Sequence, residues 1–99
     1  MILEFHPAVQ HDFNHAIAYY EADGGVHLAD RFEVEFRAGL AAISAGPTHH
    51  PRYHINAAFR RIRLQHFPYL ILYRETPGGI RITLLKHERQ HPLYGHNRR

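Results

Sequence analysis

Apolar positions recur along this chain in two periods. From Ala8 to about Ala22, Val9, Phe13, Ala16, Ile17 and Tyr20 fall on one face at spacings of three and four, the pattern of an amphipathic helix. Pro7 suits the first position of that helix, where a missing N–H goes unmissed. From about Val26 to Ala45, Leu28, Phe32, Phe36, Leu40 and Ile43 form a second stripe of the same kind. Asp23-Gly24-Gly25 separates the two, since glycine tolerates the left-handed conformation that follows a helix end. Gly46-Pro47 stops the second helix. So short a break predicts an antiparallel helical hairpin. Gly39, inside the second helix, costs about 1 kcal/mol relative to alanine, which a close helix contact at that point would offset.

Elsewhere the period shifts toward two. Ile2-Leu3-Glu4-Phe5 predicts a short strand closed by His6-Pro7. Three further strands are predicted within residues 59–91. Ile62 and Leu64 alternate with Arg61 and Arg63, as in a half-buried strand. Tyr69 to Arg74 is apolar on both faces and reads as a central strand. Ile80, Ile82 and Leu84 alternate with Arg81 and Thr83, after the hairpin turn Thr76-Pro77-Gly78-Gly79,. Residues 47–58, with two prolines and His49, His50 and His54, form the longest loop,. The order is an N-terminal strand, a helical hairpin and a three-stranded antiparallel meander. This is an α+β fold with the helices on one face of the sheet. If Ile62, Leu64, Ile82 and Leu84 meet the helices, then Arg61, Arg63 and Arg81 lie on the opposite face. Arg60, on the other parity, falls near the helix edge.

Composition narrows the class. Ninety-nine residues, 44% apolar and 21% charged, describe one ordered domain over residues 1–99. Without cysteine, disulfides and thiolate metal sites are excluded. No signal peptide and no membrane-length apolar run stand out, so a cytoplasmic protein with no membrane partner is expected. The net charge of +3 rests on eleven arginines and one lysine, and eleven histidines add to it. Arginine suits planar recognition of phosphate and carboxylate, so an acidic partner fits. A small net charge of this kind equally fits an ordinary soluble surface.

Candidate chemistry lies mainly in the strands and after them. An arginine face of Arg61, Arg63 and Arg81 can grip a phosphate backbone, stabilise charge in phosphoryl transfer, or simply be the wet side of a sheet. His87, Glu88, Arg89, His91 and Tyr94 follow the last strand and bring proton-transfer groups beside it, or else form an exposed polar segment. His11 and His15 share a helix face at the spacing that serves zinc. No third ligand accompanies them, so neither a metal nor another cofactor is expected. Tyr20 follows the apolar stripe and reads as core, whereas Tyr19 suits a rim contact. Tyr69 and Tyr73 can stack bases but suit strand packing as well. The turn glycines lack the spacing of a phosphate loop, and Ser44, the only serine, has no nucleophile elbow around it.

Together these segments resemble a known family. Phe5-His6-Pro7-Ala8 with Asp12, Ala16 and Tyr19-Tyr20-Glu21 is similar to the opening of the RelE/ParE superfamily of bacterial type II toxin–antitoxin toxins. Phe32 to Ile43 is similar to its second helix. Pro51 before Arg60, then Phe67-Pro68-Tyr69 with Ile71 and Tyr73-Arg74, is similar to its central strands, and His87, Arg89 and Pro92 to its ending. The resemblance implies a growth-inhibiting toxin that forms a hetero-oligomer with a cognate antitoxin, with Arg61, Arg63, Arg81, Arg89 and Tyr94 facing antitoxin or target. It points to the ParE, or plasmid-stabilisation, branch, which is associated with inhibition of DNA gyrase. The RelE branch instead cleaves messenger RNA on the ribosome, and its nucleases tend to use lysines and a C-terminal tyrosine. Here Lys86 is the only lysine, Glu88 follows His87, and Tyr94 lies well downstream. An endoribonuclease remains the alternative, with Arg61, Arg63 and Arg81 on phosphate and His87 moving a proton. A third possibility is an inactive homologue that acts only inside an antitoxin-bound regulatory complex.

Overall fold

Short apolar runs and one long amphipathic segment give five elements in the computed structural model, which describes residues 2–99. Strand β1 is Ile2–Phe5, helix α1 Ala8–Ala45, and strands β2, β3 and β4 are Arg60–Arg63, Tyr69–Thr76 and Gly79–His87. The sheet order is β1-β4-β3-β2. Strands β2, β3 and β4 form the expected antiparallel meander. Strand β1 joins it parallel to β4, from Ile2 beside Gly79 to Phe5 beside Ile82. The sheet is therefore mixed, because the helical excursion after β1 supplies the crossover that a parallel pairing needs. At Gly79 a side chain would collide with the Ile2 carbonyl, so glycine lets β1 approach.

The helical hairpin is tighter than the expected three-residue break. Asp23 and Gly24 stay helical, and only Gly25 leaves helical geometry, at φ 84° and ψ −179°. Glycine reaches positive φ without steric penalty, so one residue is enough to turn the chain. The rings of Phe13 and Phe36 lie 5.0 Å apart, and those of Tyr20 and Phe32 lie 5.2 Å apart. In a straight helix the first pair would be roughly 34 Å apart, so the two arms of α1 fold back on each other. At Gly39 an added Cβ would sit 2.8 Å from Ile71 Cδ1. The close approach anticipated there is made to the sheet, not to the other arm.

The main core lies between α1 and the sheet. Val9, Ala16, Tyr20, Phe32, Phe36 and Ile43 meet Leu64, Phe67, Tyr69, Ile71, Tyr73, Ile80, Ile82 and Leu85, with Ile62 packed at the margin. Phe32 stacks edge-on against both Phe67 and Tyr69, at 5.2 and 5.1 Å. Tyr20 and Tyr69 belong to this core, as does Tyr73, whose hydroxyl donates to the Pro47 carbonyl at 2.6 Å. The opposite face carries a smaller cluster of Tyr53, Phe59, Leu72 and Leu84, with Ile55 and Leu70 against it.

Leu84 thus lies on the face opposite to the one its alternation predicts. Tyr73 pairs with Ile82 and Leu72 with Leu84, so Thr83 is an extra residue in β4. Such a bulge shifts the parity of the strand beyond it. Leu85 takes the helix-facing place, and the fully buried Thr83 turns its hydroxyl to the Arg81 carbonyl at 3.3 Å. No helix among the described residues is long and apolar enough to cross a membrane.

Candidate functional site

Strand pairing assigns each candidate arginine to a face. Arg61 lies beside Leu72, Arg63 beside Leu70, and Arg81 beside Arg74, so all four arginines share the face away from α1. Arg60 has the helix-side parity expected of it and is bound to Glu75 at 2.6 Å and to the His50 carbonyl at 2.8 Å. Arg63 grips Glu88 through Nε at 2.9 Å and Nη2 at 3.3 Å. The same contact holds the Glu88 carboxyl below its ordinary range. Arg81 donates to the Arg99 carbonyl oxygen at 2.9 Å and lies 3.4 Å from Glu4. Among the described residues Arg61 and Arg74 have no ion pair, and the buried Nε of Arg74 has no hydrogen-bond partner.

This face is partly roofed. Residues 51–53 pair along the outer edge of β2, with the Arg61 amide on the Pro51 carbonyl at 3.0 Å and the Tyr53 amide on the Phe59 carbonyl at 2.8 Å, and the side chains of Tyr53 and Phe59 cover Leu72 and Leu84. The C-terminal segment closes over the rest. The Tyr53 hydroxyl reaches the Pro92 carbonyl at 3.5 Å, Asn56 meets His96 at 3.4 Å, and Gly95 lies against Leu84. The expected open arginine face is therefore a roofed one with a cationic border.

His87 lies on the other side of the sheet. It pairs with Tyr69, edge-on at 5.0 Å, at the margin of the helix-facing core. Six residues of β4 separate it from Arg81, which is about 20 Å of strand. The structure does not bring His87 together with Arg61, Arg63 and Arg81. Its Nδ1 accepts the Arg89 amide at 2.9 Å, so the neutral ring carries its proton on Nε2. Burial, and then the charge of Arg89, hold His87 below the ordinary imidazole range. In that state Nε2 donates and cannot take up a proton.

What His87 does line is a cleft of about 660 Å³ shared with His11, Asp12, His15, Tyr19, Tyr69, Leu85, Arg89, Gln90 and Tyr94. The histidine pair of the first arm, the rim tyrosine Tyr19 and the group around His87, which are separate in the sequence, form one concavity. Burial, followed by the neighbouring Tyr20, pushes the Tyr69 hydroxyl up to about 12, so it stays a neutral donor. Among the described residues no group of three or more histidine or carboxylate side chains could hold a metal ion.

Asp12, which the sequence shows only as part of the opening motif, is a centre whose role the pattern did not give. Strand β1 covers the edge of β4 only as far as Ile82, where His6 N donates to the Ile82 carbonyl at 2.8 Å. Beyond it, Asp12 Oδ2 accepts the Leu85 amide at 3.1 Å, and Arg98 Nη1 donates to the Thr83 carbonyl at 3.3 Å. The two side chains are themselves paired at 2.6 and 3.1 Å, with Tyr94 Oη 3.4 Å from Asp12 Oδ1. A buried ion pair thus continues the ladder where the strand stops, and it ties the C-terminal segment to α1. The pattern carries one trace of it. Asp12 lies three residues after Val9 and four before Ala16, a carboxylate inside the apolar stripe, and such a group needs a partner. Lys86 is also buried, with Nζ donating to the His87 and Gln90 carbonyls at 3.0 and 2.8 Å. It closes the turn after β4.

Comparison with known proteins agrees with this architecture. No curated protein sequence matches the chain. Among solved structures it is similar to one described as the chromosomal ParDE TA system from P. aeruginosa, with a TM-score of 0.78 at 15% identity, covering 88% of this chain and 95% of that one. At that identity the likeness speaks to the fold. The model of the family described as "ParE toxin of type II toxin-antitoxin system, parDE" matches residues 3–92. With nearly the whole chain inside that match, the protein belongs to the ParE toxin family.

Proposed function

We propose that this chain arrests bacterial growth from within the cytoplasm by binding DNA gyrase, and that a cognate antitoxin silences it in a hetero-oligomer. Family membership supports the toxin role. One observation favours binding over cleavage: His87 and the arginines Arg61, Arg63 and Arg81 lie on opposite faces of the sheet. A phosphodiester held by Arg61 and Arg81 on their face lies across the sheet from His87, and Arg63, which does reach the end of β4, is engaged there by Glu88. Lys86, the only lysine, is spent on main-chain carbonyls. The residues left for a partner are Arg61 on the far face and the exposed Arg89 and Tyr94 beyond β4. Arg63 and Arg81 hold surface ion pairs that an acidic antitoxin segment can exchange for its own carboxylates.

The test is to induce the chain alone in a sensitive bacterium and ask whether replication or translation stops first. With purified protein, negative supercoiling by gyrase is expected to fall, and Arg61→Ala or Arg89→Ala to weaken the effect. Unchanged supercoiling at excess toxin overturns the gyrase assignment. Codon-linked cuts in cellular messages that disappear in His87→Ala establish the ribosome-dependent endoribonuclease instead. Harmless overexpression identifies an inactive homologue that works only within the antitoxin complex.

A further inference from the structure

We propose that the cleft between the first arm of α1 and the end of β4 is a binding site for a free nucleoside monophosphate. Its volume of about 660 Å³ falls in the roughly 300–1,000 Å³ range of small-molecule sites. It is formed by three parts of the chain: the helical arm (His11, His15, Tyr19), the paired ends of β3 and β4 (Tyr69, Leu85, His87), and the segment after β4 (Arg89, Tyr94).

Charge selects the ligand's sign. Asp12 is the only carboxylate in the lining, and both of its oxygens are taken, by Arg98, the Leu85 amide and the Tyr94 hydroxyl. No free carboxylate remains for a cation, and the two histidines His11 and His15 stand without a third ligand among the described residues. Donors remain instead. Arg89 has no ion pair among the described residues, and His87 holds its proton on Nε2 because the Arg89 amide occupies Nδ1. His11 and His15 are exposed on the same wall. Such a set suits a phosphate, which takes several donors at once.

The walls select the rest of the ligand. Tyr19 and Tyr94 are 58% and 38% exposed, although both border a concavity in which Tyr69 and Leu85 are buried. Tyr20 packs edge-on against Tyr19 at 5.1 Å, and Arg98 lies over one face of the Tyr94 ring at 5.4 Å. Exposed aromatic rings at the border of a cleft are platforms for a planar ring, and nucleobases stack on such rings whatever their sequence. Phosphate donors beside stacking rings describe a nucleotide. The inference stands apart from the choice of gyrase as target, since it concerns binding by the chain alone.

The experiment titrates the purified full-length chain with 5′-AMP and follows its 1H–15N amide spectrum. Saturable shifts are expected at Tyr19, Leu85, His87 and Arg89. Arg89→Gln and Tyr19→Ala alter exposed side chains and leave the fold intact. Each is expected to weaken binding about tenfold. Adenosine and inorganic phosphate, each carrying half of the recognised chemistry, are expected to bind more weakly than 5′-AMP. Absence of shifts at about 10 mM 5′-AMP, a range that reaches well past the millimolar affinities of weak sites, overturns the proposal. So does inorganic phosphate that binds as well as 5′-AMP, or a response centred on Arg61 and Arg81. A trinucleotide that binds the same residues more tightly than 5′-AMP assigns the cleft to a nucleic-acid strand and overturns the free nucleotide. Loss of gyrase inhibition has no bearing on any of these readings.

Discussion

The two faces of the sheet are built on different physics. Toward α1, Phe32, Phe36, Tyr20, Ile71, Ile82 and their neighbours form a continuous apolar layer with aromatic edges interlocked. Its stability comes from area removed from water, a contribution that involves no titrating group. Away from α1 only Tyr53, Phe59, Leu72 and Leu84 are buried as a cluster. The rest of that side is held by arginine pairs, a loop paired along the outer edge of β2, and a C-terminal segment tied down by Arg98. The exposed arginine pairs among these are individually weak and exchangeable, whereas the Arg98–Asp12 tie is largely buried. The difference teaches where change is tolerated: the first face keeps the fold, and the second can be rearranged around a partner without losing it.

Substitutions can break that contrast, beginning with the largest effect. Phe32→Ala empties the centre of the helix-facing core and is expected to cost about 3–5 kcal/mol, read as a lowered urea midpoint. Asp12→Ala comes next. It leaves Arg98 and the Leu85 amide without their acceptor, and removing one partner of a buried pair costs about 3 kcal/mol. The stability loss should come with faster amide exchange in residues 93–99, while the α1 core stays protected. Gly39→Ala forces Ile71 aside and should destabilise by about 1–2 kcal/mol, despite alanine's better helix propensity.

Protonation separates the faces more gently. His6 lies below the ordinary imidazole range through burial, then through Arg98 and Arg81, and its Nδ1 accepts the Ala8 amide at 3.0 Å. His87 is lowered in the same sense. With folded pKa values below unfolded ones, the unfolded chain binds the extra protons. The stability from both groups is therefore complete above about pH 6.5 and declines as pH falls through the folded values. For Glu35, burial acts upward, but the amide and ring of His66 outweigh it and the net shift is down. Glu88 is held down by Arg63. Their contribution is present above about pH 4.3 and is lost below it. A urea midpoint that falls first below neutrality and again in acid is expected, and a flat profile would contradict both assignments. Arg63→Ala has the smallest expected effect. It removes a solvent-exposed pair with Glu88 and should leave the urea midpoint at about its original value, with added salt closing any residual difference.

Much of the fold is local in origin, and that part was legible in the sequence. Apolar stripes at helical spacing placed both arms of α1, Pro77-Gly78 placed the hairpin, and alternation put Arg61, Arg63 and Arg81 on one face. The order of elements, with motifs such as Phe5-His6-Pro7-Ala8 and Phe67-Pro68-Tyr69, carried the resemblance to the family. What the sequence could not carry depends on pairing between distant segments. Strand β1 lies parallel to β4 because the crossover allows it, and no residue pattern states which strand it joins. One extra residue, Thr83, sends Leu84 and Leu85 to faces that strict alternation would exchange. Asp12 and Arg98 stand 86 residues apart, and only the end of β1 at Phe5 opens the edge of β4 that they share. For the same reason the sequence named His87 and the arginines together, while the tertiary structure set a sheet between them. Periodicity fixes which way a side chain points along its own strand. Which neighbours lie at that side is decided only when the strands meet.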